Sequence, residues 1–269
     1  MSTFGSLDEI LAPGGLQAVF QPILELRQDQ TCVHALEALV RGPRSSPLEG
    51  AAQLFDYVRE KRAHAHVDRA CILEVFRSAR QLPEQYRLGL NVHAETLADD
   101  WEFGVFLGDA AEVHGIALER LILEIGSEPK GGPRGFFDNL RALRDIGVRL
   151  ALDDVGGRLA FLGDALQCRP HYLKVARRLV KGAHADVVQS ALLESLAALA
   201  RGIGAQPVAT GIEDARDLGL VRELGYRLAQ GLLLSPPLPE AQLREGLRVE
   251  ASPCEEALAE PDPCGSGAR

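Results

Sequence analysis

The sequence predicts an α/β fold, a TIM-type (β/α)8 barrel with an antiparallel first strand pair. Three observations carry this. Short β-rich runs alternate with longer helical patterns along most of the chain. Several of those runs end on a polar or acidic residue, and in a closed barrel the C-terminal strand ends meet at one mouth. No GxGxxG opens a helix, which disfavours the runner-up, an open doubly wound sheet.

The elements follow in order. Residues 18–24 and 33–40 read as strands. The turn-like stretch from Arg27 to Thr31 joins them without a helix, so they are expected to form an antiparallel hairpin. Residues 48–61 and 63–80 are helical in pattern and rich in Arg and Ala. Strands follow at 87–92 and 120–125. A helix over 134–146 stops at Gly147, before a strand over 148–153. After a strand at 171–175, residues 184–202 give the clearest helix. Val188, Leu192, Leu196, Leu199 and Ile203 recur at three- and four-residue steps, His184 and Asp186 open the segment and Gly202 closes it. Strands at 206–210 and 226–230 complete the set. Residues 1–15 read as an N-terminal lead and 16–248 as one barrel domain. Residues 249–269 are acidic and Pro-rich without an apolar period, and are expected to be a disordered tail. No internal repeat or second domain is found.

Composition narrows the function. At 46% hydrophobic, 269 residues can bury a sizeable core. A net charge of -9 argues against a nucleic-acid polymer as partner, though not against a single nucleotide held by a metal. The five cysteines, Cys32, Cys71, Cys168, Cys254 and Cys264, are odd in number and form no CxxC, so neither a disulfide framework nor a zinc site is indicated. The N-terminus MSTFGSLDEI has no basic or apolar signal region, and no apolar run approaches about 18 residues. A cytoplasmic location without membrane contact is expected.

The candidate site is the set of strand-end residues: Glu37 in HALEALVRG, Asn91 in RLGLNV, Glu124 in RLILEI, Asp153 and Asp154 in VRLALDD, then Lys174 in HYLKV and Gln230 in YRLAQG. A carboxylate at a buried strand end costs several kcal/mol unless paired. A divalent cation is the obvious partner for a convergent set. Ordinary ion pairs with Lys174 or Arg41 are the plainer alternative. His93, His171 and His184 lack metal-ligand spacing and read as polar or packing residues. Trp101 is expected to pack under a loop.

Phe20-Gln21-Pro22-Ile23 and Glu37-Ala38-Leu39-Val40-Arg41 resemble the opening motifs of the EAL family. The similarity continues through Asn91, Leu123-Glu124-Ile125, Asp153-Asp154, Leu173-Lys174-Val175, Gly211-Ile212-Glu213 and Gln230-Gly231. A lone E-A-L carries no weight; the whole ordered set of motifs does. Members hydrolyse cyclic di-GMP to linear pGpG or bind it as receptors. The resemblance implies Glu37, Asn91, Glu124 and Asp153 as ligands of a first Mg²⁺ or Mn²⁺, and Asp154 as a ligand of a second. It implies Lys174 beside the attacking water and Gln230 orienting it. The implied ligand-binding set is Gln21, Leu39, Arg41, Asp153, Glu213 and Pro237.

The sequence departs from the family at several points. Thr210, in Ala-Thr-Gly-Ile-Glu, stands where the family has a glutamate near the second metal. Ser127 replaces the glutamate of L-E-I-T-E. The loop after Asp154 reads Val-Gly-Gly-Arg-Leu-Ala-Phe-Leu instead of F-G-T-G-Y-S-S-L, and Ala176 replaces an aspartate. A hydroxyl supplies no full negative charge near neutral pH. The resemblance therefore implies an intact first metal site and a broken second one: binding of cyclic di-GMP with hydrolysis impaired or absent. An active phosphodiesterase and a ligand-free interaction module are the alternatives. With no attached sensory domain found, regulation is expected from a protein partner or a homodimer.

Overall fold

The computed structural model describes residues 7–27, 31–126, 135–156 and 166–250. Eight strands close into a barrel in the order β1 to β8. They are β1 Gln17–Leu26, β2 Thr31–Arg41, β3 Arg87–Asn91, β4 Leu121–Ile125, β5 Arg149–Val155, β6 Tyr172–Val175, β7 Gln206–Ala209 and β8 Leu228–Ala229. Each overlaps a run expected to be a strand. β1 is antiparallel to β2, as expected, and also to β8, while the remaining neighbours pair in parallel.

The helices flank this sheet: α1 Leu7–Leu11, α2 Ala51–Lys61, α3 His64–Ala79, α4 Ala94–Asp99, α5 Phe103–His114, α6 Phe136–Asp145, α7 Arg177–Val180, α8 Val187–Gly202, α9 Ala215–Glu223 and α10 Glu240–Glu250. α8 starts later than 184 because Asp186 caps it, accepting from the backbone N–H of Val188 and Gln189. His184 instead sits in a 3-10 turn over Ala183–Ala185. α10 runs two residues past the expected boundary at 248. The remaining tail, the loop positions 157–165 and Ser127 lie outside the described residues. Among the described residues, no helix is long and apolar enough to cross a membrane.

Strand period explains the site. Successive side chains on a strand alternate faces, so i and i+2 share one. A buried inner layer holds Ile23, Ala35, Ile122, Ala151, Tyr172, Val208 and Leu228. Two residues toward the C-terminal end of the parallel strands stand Glu37, Glu124, Asp153, Lys174, Thr210 and Gln230. On antiparallel β1 the step runs backward, from Ile23 to Gln21, and the register sets Gln21 opposite Glu37. The strand-end set is therefore one layer of side chains above the inner core. Outside the sheet, two apolar clusters pack the helices, one centred on α2 to α6 and one on α7 to α9.

Candidate functional site

The residues beside β2, β3, β4, β6 and β8 form one bonded cluster. Lys174, 2% exposed, donates from Nζ to Glu37 Oε2 at 2.8 Å and also to Glu124 Oε2. Asn91 Nδ2 donates to Glu37 Oε1 at 3.0 Å, and Gln230 Nε2 donates to Glu37 Oε2 at 2.7 Å and Gln21 Oε1 at 3.3 Å. Gln21 in turn donates to the Ser235 carbonyl at 3.0 Å. This links β1 to the segment carrying Pro237, which runs into the Phe20–Leu238 bridge. Gly89 makes room for the cluster: a Cβ there would overlap Glu124 Oε1 and press on Glu37 Cα.

The charges do not balance locally. Burial alone would lower the pKa of Lys174, but Glu124, Glu37 and Asp153 reverse that and hold it far above its ordinary value. Burial, reinforced by the charge on Glu37, pushes Glu124 up to about 8 despite Lys174. Burial also raises Asp153, with Lys174 opposing. Only Glu37 lies below the ordinary range: burial pushes it up, and Lys174, Asn91 and Gln230 together outweigh that. Three carboxylates facing one ammonium leave an excess of two negative charges (3 − 1) when all are ionised. One dication would cancel it.

That count and the donor types fit a hard divalent cation, which prefers carboxylate and amide oxygens. A second observation agrees: Glu124 Oε1 is buried without a hydrogen-bond partner, an expensive condition for a carboxylate oxygen. Among the described residues, no three His, Cys, Asp or Glu side chains stand in metal-binding geometry, and Lys174 bridges Glu37 and Glu124. The donor set is suited to a cation, and in this arrangement it is closed on the lysine.

The β5–β7 side of the mouth differs. Asp154 adopts φ 52° and is half-exposed, its carboxylate 3.1 Å from Arg178 Nη1. Glu213 pairs with Arg177 at 2.5 Å and Lys181 at 3.3 Å. All three cations come from the segment carrying α7. Arg177 lies over Gly211, and Leu179 over Gly156, at positions where a Cβ would collide with them. The missing Cβ at both glycines makes these approaches possible, and their positive φ (71° and 98°) is a second reason for glycine there. Thr210 Oγ1 donates to the Val175 carbonyl at 2.7 Å. The structure thus brings Gln21, Glu37, Asn91, Glu124, Lys174 and Gln230 into one network, and ties Asp154 and Glu213 to a separate cationic strap.

A cavity of about 430 Å³ opens beside the carboxylates. Glu37, Asn91, Glu124, Asp153 and Arg41 line its polar end, and Leu39, Phe55, Ile72, Val75 and Val92 its apolar wall. His93 also lines it. Its Nδ1 lies 2.7 Å from Asp68 Oδ1, and Asp68 further accepts from His93 N and Thr96 Oγ1. Burial alone would lower the His93 pKa, but Asp68 holds it above the ordinary value. The sequence marks His93 only as a polar or packing residue; its place two residues past Asn91, at a mouth-facing strand end, is the signal that points to the cavity. His184 makes the same contact with Asp217, at 2.7 Å, but lines no such cavity. His171 accepts from Leu150 N. Trp101 does not pack under a loop: it is 78% exposed.

Residues 5–237 match the model of the EAL domain. The chain is 29% identical over 256 residues to a protein of Pseudomonas aeruginosa named cyclic di-GMP phosphodiesterase NbdA. The match covers 90% of this chain and 31% of that relative, so the chain spans about a third of it. The fold superposes with a TM-score of 0.79 on the EAL enzyme Bd1971 in its cAMP- and cyclic-di-GMP-bound form, at 22% identity, covering 87% of this chain and 65% of the other. It also superposes on Klebsiella pneumoniae BlrP1 in a manganese/cyclic-di-GMP complex, with a TM-score of 0.75 at 26% identity, covering 85% and 58%. The ordered strand-end motifs, the closed barrel with its reversed first strand and the family match agree: the chain belongs to the EAL domain family.

Proposed function

We propose that this protein binds cyclic di-GMP at the barrel mouth, in the cytoplasm, together with one Mg²⁺ or Mn²⁺, and hydrolyses it slowly or not at all. The observation that carries the reading is the contrast across the mouth. On one side an orphaned, buried Glu124 Oε1 stands in a cluster whose three carboxylates face one ammonium. On the other, Asp154 and Glu213 are already neutralised by Arg178, Arg177 and Lys181.

Glu37, Asn91, Glu124 and Asp153 would hold the cation. A bound dication supplies Lewis-acid stabilisation of a phosphoryl oxygen and a more acidic water. The chain's own residues do the rest. Lys174 keeps Glu37 ionised and holds both Glu37 and Glu124 in place. Gln230 fixes Glu37 and Gln21. Arg41, at the cavity rim, offers a planar donor to a phosphate. Leu39 supplies apolar wall, and Pro237 shapes the β1 edge beside Gln21. Asp154 and Glu213, tied to the strap, and Thr210, bonded to a backbone carbonyl, leave the second side without a free carboxylate.

Full turnover is the second reading, favoured by the name of the NbdA relative. Titration with cyclic di-GMP, with and without Mn²⁺, followed by product analysis, separates the two. Binding with less than about 1 s⁻¹ of linear pGpG supports the proposal; ordinary enzyme rates at or above that value overturn it. Glutamate restored at both 210 and 127 should raise turnover by more than the two single changes combined, since residues acting as a unit are non-additive.

A further inference from the structure

Two Asp–His clasps of the same build occur in this molecule. Asp68 on α3 accepts from the His93 backbone N–H at 2.9 Å and lies 2.7 Å from its Nδ1. Asp217 on α9 accepts from the His184 backbone N–H at 3.2 Å and lies 2.7 Å from its Nδ1. Both carboxylates are buried, at 1% and 3% exposed. Both clasps tie a helix to a neighbouring loop, so structural anchoring explains either one. Only His93 lines the cavity beside the carboxylate cluster.

The carboxylate fixes the tautomer. With Nδ1–H given to Asp68, the His93 ring carries its lone pair on Nε2 in its neutral form, the form that prevails at alkaline pH. That atom has no hydrogen-bond partner among the described residues, and the ring is partly open, with its side chain 22% exposed. The ring is also held in place, with edge-on contacts to Phe55 at 5.3 Å and His64 at 4.7 Å between centroids. Next to it lies the apolar wall of Phe55, Ile72, Val75 and Val92, a surface suited to a flat ring. An apolar slot with one fixed acceptor at its edge selects a planar group that carries N–H.

We propose that His93 is a specificity-determining residue of this site: its Nε2 accepts a hydrogen bond from the guanine N1–H or 2-amino group of bound cyclic di-GMP, and Asp68 is the positioning residue that fixes it. This rests on the reading that cyclic di-GMP is the ligand. Guanine presents donors at both of those ring positions. Adenine has a bare acceptor nitrogen at N1, no 2-amino group, and its single amino donor at C6, where guanine has an acceptor oxygen, so in the same pose it offers His93 no N–H. A site built to pair with a particular N–H rejects analogues lacking it, because its own polar atom is then left unpaired.

The test measures affinity for cyclic di-GMP and cyclic di-AMP at pH 8.5 in the presence of Mg²⁺, for the whole chain and for two variants. His93→Ala should weaken cyclic di-GMP binding about fivefold to tenfold, the scale of one net hydrogen bond, and narrow the preference over cyclic di-AMP by a similar factor. His184→Ala breaks the matching clasp elsewhere and should leave both affinities within about twofold, whatever it does to the melting temperature. Unchanged affinity and preference in His93→Ala overturn the inference while leaving the ligand reading intact. If the unmodified chain binds no cyclic di-GMP, the ligand reading fails first. Should His93→Ala not fold, nitrogen NMR of the unmodified chain decides: on ligand addition the His93 Nε2 resonance should move and that of His184 should not. A stationary His93 signal overturns the proposal.

Discussion

The two sides of the barrel mouth use the same residue types in opposite ways. Beside β2, β3 and β4, acids are buried, share one internal lysine and leave an oxygen without a partner. Beside β5 and β7, acids are half-exposed and matched by surface cations from α7 and the residue following it. Burial makes the difference. A carboxylate removed from water gains strongly from a nearby cation, whereas one in solvent has its pairing screened and worth little. The first side therefore carries buried acids matched by a single ammonium, and the second carries acids already paired with surface cations.

Removing Lys174 breaks the comparison most severely. Lys174→Met leaves Glu37 and Glu124 buried with no ammonium between them, and should cost about 3–5 kcal/mol in urea unfolding with chelator present. A loss as small as that of a surface pair would mean that water reaches this side too.

The pH dependence tests the same side. Glu124 is raised to about 8 from an ordinary 4.5. The folded state therefore binds its proton more tightly than the unfolded chain does. This contribution to stability is fully present below about pH 4.5 and is lost as pH rises through about 8. Asp153, also raised, acts with the same sign. Metal-free stability should fall across that window, and the fall should shrink in Glu124→Gln. Mg²⁺ or Mn²⁺ should flatten it by holding the carboxylate ionised. An identical slope in the variant would place the titration elsewhere.

Arg41→Ala sharpens the ligand side of the comparison. It should weaken cyclic di-GMP binding by about 1.5–3 kcal/mol, as expected for a charge-assisted hydrogen bond, when measured by calorimetry. No change would remove the phosphate from the Arg41 end of the cavity.

The smallest effect belongs to the strap. Arg178 and Asp154 are each 52% exposed in their side chains, so Arg178→Ala should change stability by less than about 1 kcal/mol. Its effect should appear in metal titration instead. The unmodified chain should take up one Mn²⁺ equivalent, and freeing Asp154 should begin to admit a second. Two equivalents in the unmodified chain would erase the distinction between the sides.

The barrel and the layer of site residues are legible along the chain. Strand period is strictly two, so a polar residue closing an apolar run must share a face with the core residue two positions earlier, as Glu37 does with Ala35 and Lys174 with Tyr172. Motif order then identified the family. Which charges meet depends on how the sheet closes. Lys174 lies 137 positions from Glu37, yet it lies between Glu37 and Glu124 because closure sets β6 across the interior from β2 and β4. Strand spacing alone treats Asp153 and Asp154 as a pair, and only the family resemblance gives them different roles; in the fold, φ 52° at Asp154 goes with a carboxylate turned outward to Arg178, while Asp153 lines the cavity. His93 carried no ligand spacing, and its aim into the mouth depends on a carboxylate from another element, 25 positions earlier. Local period is written along the chain; the pairing of charges and the aiming of a ring are set by elements that become neighbours only when the sheet closes.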